Sequence, residues 1–259
     1  MHLFAQRRWK YLFLSFILLF ASITHCSDTN NHAGNNYTQN DEINDIYMFL
    51  TYSILYKTWQ DPSKEVIGKN IGALLVNTTK DKILGFNRNA HSSTNNTTQH
   101  AETRLMQSYL SKCECGDLAD CIIYASLEPC AMCSGMMTIS KVKETIYGET
   151  DPWGGKALER LSLDSSELPD GYFPYPDVTI SRASNCIIRK ELDEAQKESG
   201  IFIYKFLMTG KAKEIYKKAY NIFINYEVKY KVNQIIYDNA RDFLERELEK
   251  YYRVHEELR

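Results

Sequence analysis

Two short segments restrict what this chain of 259 residues can fold into more than anything else in it. One is His100-Ala101-Glu102, which opens a helical pattern carried by Leu105, Met106, Tyr109 and Leu110. The other is Pro129-Cys130-Ala131-Met132-Cys133, which comes just after Cys121 to Leu127, a run with the pattern of a buried strand. Proline suits the first turn of a helix, where its missing N–H is not needed, so Ala131 to Ile139 reads as the helix after that strand. Each motif therefore stands at the N-terminal end of a helix. Residues three apart on a helix share a face, so Cys130 and Cys133 can reach one ligand, and a helix N-terminus favours thiolate over thiol.

One His and a Cys-x-x-Cys supply three ligands of the type that bind Zn²⁺. Three protein ligands with an open fourth position are what a catalytic zinc uses, whereas four close a structural site. Such an ion lowers the pKa of coordinated water from 15.7 toward roughly 7. Glu102, two residues beyond the His, is placed to take a proton and return it. H-x-E followed by P-C-x-x-C is the signature of zinc deaminases, with the Glu a proton shuttle and not a ligand. A lone HxE or CxxC would say little. A closed zinc knuckle would want a fourth ligand nearby, and a redox dithiol would leave His100 and Glu102 unexplained.

Around these motifs the chain divides into four stretches. Arg7, Arg8 and Lys10 precede an apolar run from Tyr11 to Ile23, shorter than the roughly 20 residues of a membrane span. The expectation is an export signal over residues 1–26, with an uncleaved membrane anchor as the alternative, and then a polar linker over 27–40. Residues 41–210 read as the main domain. It begins with an amphipathic helix from Ile43 to Trp59, followed by a hairpin of Ile71 to Val76 and Lys82 to Phe86, then a polar loop from Asn87 to Thr98. Later come a strand from Glu144 to Gly148, a loop from Asp151 to Gly155, a last strand from Asp177 to Ser184, and a helix from Ile187 to Met208 interrupted at Gly200. Strands and helices alternating in this order imply an α/β layered domain with parallel pairing in its later strands. Residues 211–259 carry Tyr216, Phe223, Tyr230, Tyr237, Leu244 and Tyr251 at seven-residue spacing, which reads as a helical extension packed on the domain.

A formal net charge of −2 gives no global pull toward polyanions, which favours a small substrate over nucleic acid. Of the clustered cysteines, Cys121 reads as a small hydrophobe opening a strand, and Cys113 and Cys115 as residues of a surface loop. A disulfide or a second metal site there is the alternative.

At the residue level these motifs resemble the cytidine deaminase superfamily, most closely its branch of bacterial tRNA adenosine deaminases and guanine deaminases. The resemblance covers roughly Ile71 to Asp151 and rests on IGALLV, GFNR, HAE, YASLEPCAMCSGMM and IYGETD. It implies a three-layer α/β/α sandwich around a mixed sheet, with Zn²⁺ held by His100, Cys130 and Cys133 and Glu102 as the acid/base. It also implies that Asn87, in GFNR, contacts the base or sugar of the substrate, although alone this residue reads equally as a turn-forming Asn. The expected reaction is hydrolytic deamination of a purine base or nucleoside, with release of ammonia. Deamination of adenosine or cytidine within RNA or DNA is the alternative, and a non-catalytic zinc-stabilised interaction domain is the reading from another class. A homodimer stays open. The expected location is periplasmic or secreted, which sets the chain apart from the tRNA enzymes, since those work inside the cell.

Overall fold

The first helix, α1 (Gln39–Lys57), starts where the sequence supplies a complete capping box. The Thr38 side chain accepts from the Asp41 backbone N–H, and the Asp41 carboxylate accepts from the Thr38 N–H at 2.8 Å. The computed structural model describes residues 37–175 and 179–256. The expected export segment, most of the linker and the start of the predicted strand at Asp177 lie outside the described residues. Among those described, no helix is long and apolar enough to cross a membrane.

After α1 come β1 (Gly72–Asn77), β2 (Lys82–Arg88), the short α2 (His91–Thr94), α3 (Ala101–Leu110), β3 (Cys121–Leu127), α4 (Ala131–Ile139) and β4 (Glu144–Glu149). The chain continues through α5 (Ala157–Leu161), β5 (Ile180–Ala183), α6 (Ile187–Ser199), α7 (Ile203–Phe206), α8 (Gly210–Ile224) and α9 (Gln234–Glu256). The strands form one mixed sheet in the order β2-β1-β3-β4-β5, with β1 antiparallel to both β2 and β3, and the β3–β4 and β4–β5 pairs parallel. The parallel pairing predicted for the later strands is therefore present, because a helix crosses over between each pair.

Helices cover both faces. On one side Tyr47 of α1 packs against Tyr124 of β3 with ring centroids 5.1 Å apart, and Leu55 reaches Gly72 of β1. On the other side Leu105 of α3 lies over Gly85 of β2. This matches the expected α/β/α sandwich of the cytidine deaminase type.

Three details correct the sequence reading. β2 runs two residues further than predicted and the polar stretch beyond it holds a turn of helix, α2, so Asn87 is a strand residue and not a loop residue. Pro129 lies ahead of the helix: Cys130 is the N-cap of α4, and the first helical residue is Ala131. Cys113 and Cys115 are joined as a disulfide with a Cα–Cα distance of 5.1 Å, whereas Cys121 is separately buried at the start of β3.

The aromatic C-terminal stretch is built into the core. Tyr216 and Phe223 of α8 are fully buried, Tyr216 stacks 5.2 Å from Tyr52 of α1, and Tyr237 of α9 meets Phe223 at 5.6 Å. Gly210 therefore begins a core helix, and Tyr37–Arg259 is one compact unit. Glu42 fixes the α8–α9 connection onto α1. Its fully buried carboxylate accepts from the Lys229 N–H at 2.5 Å, the Tyr230 N–H at 3.0 Å and the Asn233 amide at 2.8 Å. Truncating it removes the shared acceptor of three donors, one of them the buried Asn233 amide. Glu42→Ala is expected to destabilise the chain by about 3 kcal/mol in urea denaturation, and a loss below about 0.5 kcal/mol would mean these bonds are replaced by solvent.

Candidate active site

His100 is the N-cap of α3 and Cys130 the N-cap of α4, both with extended backbone, while Cys133 lies three residues further on. The N-termini of two helices from different parts of the chain thus bring their ligating atoms together. His100 Nδ1 is 3.5 Å from Cys130 Sγ and 3.6 Å from Cys133 Sγ, and the two sulfurs are 3.7 Å apart. Bond lengths of about 2.3 Å to sulfur and about 2.0–2.1 Å to nitrogen, arranged tetrahedrally, require edges of about 3.8 Å between sulfurs and about 3.6 Å from sulfur to nitrogen. The triad therefore fits a zinc ion with three of its four positions filled, and among the described residues it is the group of this kind that could hold a metal.

The electrostatics agree with that fit. The two thiols share one proton: hydrogen bonding from Cys133 pushes Cys130 down to about 4, while the same contact and burial raise Cys133. The hydrogen bond with Cys130 raises His100. A group that already holds a thiolate beside a second thiol and an imidazole has the donor character a divalent cation replaces a proton to occupy.

Glu102, in the first turn of α3, is 4% exposed. Burial pushes its carboxyl up to about 6, against its own backbone N–H and the neighbouring His100, which lower it. With His100 and Cys130 it faces a cavity of about 320 Å³. Ile71 and Leu127 form apolar walls, Asn89, His91, Thr97 and Lys69 line a polar side, and Glu128 and Tyr204 complete the lining.

Of the five residues singled out from the sequence, the structure brings His100, Glu102, Cys130 and Cys133 together and places Asn87 elsewhere. Asn87 pairs with Ala73 in the β1–β2 ladder and lines a separate cavity with Gln99, Arg104, Gln107, Ser108 and Ser111. Alternation along β2 turns it to the face that α3 covers. Asn89, past the end of the strand where that alternation stops, is the asparagine that reaches the cavity.

Glu128 and Tyr204 were not found. Glu128 sits within the Leu-Glu-Pro-Cys stretch, and its proximity to Cys130 was the available signal. Its Oε2 accepts from the Asp151 N–H at 3.0 Å and its Oε1 from the Lys156 N–H at 2.9 Å. Asp151 in turn accepts from the Trp153 and Gly154 N–H groups, both at 2.9 Å, and from the Tyr204 hydroxyl at 3.0 Å. The loop after β4 and the short helix α7 are thereby locked around the cavity. Tyr204 lies 71 residues beyond Cys133, and nothing local marks it. Trp153 is 71% exposed, and its ring centroid lies 5.6 Å from that of Phe202.

Residues 50–149 match the cytidine and deoxycytidylate deaminase zinc-binding region. A tRNA-specific adenosine deaminase of Rickettsia felis is 31% identical over 98 residues, which cover 38% of this chain and 68% of that protein. The tRNA-specific adenosine deaminase 2 of Xenopus laevis is 28% identical over 106 residues, covering 39% of this chain and 59% of the frog protein. A solved structure of guanine deaminase from Bacillus subtilis has 21% identity, covers 60% of this chain and 94% of its own, and has a TM-score of 0.36. The chain belongs to the cytidine deaminase superfamily, the class of zinc-dependent deaminases.

Proposed function

We propose that this protein hydrolytically deaminates a single purine base, free or carried on a nucleoside. The observation that carries this reading is that His100, Cys130 and buried Glu102 line one cavity of about 320 Å³, with Cys133 completing the metal-type triad behind it. That volume is at the small end of ligand pockets, which run from about 300 to 1,000 Å³.

His100, Cys130 and Cys133 would hold zinc, which when bound supplies the Lewis acidity that makes water nucleophilic near neutral pH. Ile71 and Leu127 clasp the flat faces of the base and exclude bulk water. Glu102 takes one proton from the attacking water and passes it to the ring nitrogen, then carries the remaining proton of the added hydroxyl to the amine as the carbonyl forms and the C–N bond breaks, so that one water is consumed and one ammonia released. A carboxyl held near 6 by burial suits a group that must both accept and donate at neutral pH. Tyr204, tied to Asp151, holds the outer side. Tyr204→Phe removes that hydrogen bond and is expected to lower kcat/KM by roughly fivefold, the equivalent of one ordinary hydrogen bond, in steady-state assays. An unchanged value would show that the ring alone suffices.

A second reading, a base within a nucleic-acid strand, draws support from the ring sequence Trp153, Phe202 and Tyr204. Successive centroids are 5.6 and 5.3 Å apart, leading from solvent to the cavity. The named activity of the Rickettsia felis and Xenopus relatives points the same way. Ammonia release from guanine, adenine, adenosine and cytidine, compared with that from single-stranded RNA and DNA, tests both. Turnover confined to polynucleotide would overturn the first reading.

A further inference from the structure

The Cys113–Cys115 disulfide, in the loop between α3 and β3, takes no part in the site described above. A disulfide stabilises chiefly by restricting the unfolded chain, and does so more the longer the loop it closes. This one encloses only Glu114, so it ties no distant segments together. The loop is anchored without it. On the helix side the Lys112 and Cys113 N–H groups both donate to the Tyr109 carbonyl at 3.0 Å. On the strand side Leu118 is buried, its N–H donates to the Ser140 carbonyl at 2.8 Å, and its carbonyl accepts from the Cys121 N–H at 2.8 Å.

The pair also stands in solvent where the other described cysteines do not. Cys115 is exposed and Cys113 half-buried, among exposed Lys112, Glu114, Gly116 and Asp117. Cys121, Cys133 and Cys186 are buried, and Cys130 belongs to the metal-type triad. Thiol–disulfide exchange requires a thiolate to reach a sulfur, so access decides which sulfur reacts. The Cys113 sulfur lies 3.7 Å from the Cys115 carbonyl oxygen, which screens one side of it, and Cys115 is the more open of the two. Exposed disulfides are the labile class, whereas structural ones resist reduction by the thiol pool. A bond that closes almost no loop, at the surface between two independently fixed anchors, has the properties of the labile class.

We infer that Cys113 and Cys115 form a redox site that exchanges with small cysteine-type thiols, and that Cys115 is the sulfur attacked. The external thiolate bonds to Cys115 Sγ as the Cys113–Cys115 bond breaks, and the electron pair leaves on Cys113, which takes up a proton. A second small thiolate then attacks the mixed disulfide at the small-molecule sulfur, and Cys115 leaves and is protonated in turn. Two small thiols are thereby oxidised to one small disulfide, and the protein disulfide is reduced to two thiols. The small disulfide is the oxidant for the reverse reaction. The site is separate from the deaminase chemistry and does not rest on it.

The test uses the zinc-loaded full chain under native conditions, with glutathione as the probe. Reduced glutathione, followed by acid quenching, alkylation and peptide mass mapping, should reveal new thiols at Cys113 and Cys115, and excess oxidised glutathione should remove them. Bound zinc should be unchanged, and reduction should lower the melting temperature by less than about 4 °C. Oxidised glutathione should form an adduct on Cys115 of Cys113→Ser at least about tenfold faster than on Cys113 of Cys115→Ser, because access limits the exchange. A disulfide that opens only in denaturant, or whose reduction costs more than about 4 °C, is a structural staple and overturns the redox site. Thiols at both positions that remain alkylatable in excess oxidised glutathione overturn it as well. Equal adduct rates in the two variants overturn the assignment of Cys115 as the attacked sulfur.

Discussion

Glu102→Gln is expected to keep one zinc per chain and lose turnover by about three orders of magnitude, within the range that general acid–base catalysis supplies. The substitution preserves the volume at a position only 4% exposed, so the fold and the ligand triad are undisturbed. It removes the one carboxyl in the cavity that is free to move a proton, because both oxygens of Glu128 are occupied by the N–H groups of Asp151 and Lys156. Metal analysis of the purified variant and single-turnover ammonia release separate the two effects. Loss of zinc along with activity would make Glu102 part of the metal site, and full activity with zinc retained would remove it from the mechanism. A variant at a ligand behaves differently: Cys133→Ala should lose metal and activity together.

Glu149→Gln should become progressively more stable than the parent as pH rises, because Glu149 lies in the core without solvation. It is fully buried at the end of β4, and neither of its carboxyl oxygens has a hydrogen-bond partner. Burial first, then the nearby charges of Asp193 and Asp151, push it from the ordinary 4.5 to about 9. Between these values the unfolded chain has released the proton and the folded chain still holds it. The folded state therefore binds more protons, and stability falls as pH increases. The slope approaches about 1.4 kcal/mol per pH unit where that difference is complete. The contribution is fully present below pH 4.5, lost through the window up to about 9, and level above it. Urea midpoints at pH 5, 7 and 8.5 should show the two proteins close together at the acid end and separated by a few kcal/mol at the alkaline end. Parallel profiles would mean that Glu149 gains solvent or a counter-charge in solution.

These residues also mark the boundary between local and tertiary information. His100, Glu102, Cys130 and Cys133 were legible because their chemistry is written in short segments, and helix starts place such residues by local rules of capping and periodicity. The mixed sheet was legible for a similar reason, since a hairpin pairs antiparallel and a strand–helix–strand unit pairs parallel. Asn87 was misassigned because alternation along a strand turns on its last paired residue. β2 extends to Arg88, so Asn87 faces α3 and Asn89 enters the cavity. The Cys113–Cys115 disulfide depends on the turn between them, which composition does not specify.

Tyr204 and Glu42 had no sequence signal at all. Their roles arise from contacts across the chain, as when Glu42 in the first helix receives bonds from residues about 190 positions later. Sequence alone pointed to the candidate ligand set, to the proposed proton carrier and to the layered class, because local geometry suffices for each. Which side chains wall the cavity, which carboxyl is buried without a partner and which helix closes the core were decided only on folding, because burial and long-range contact are properties of the assembled chain.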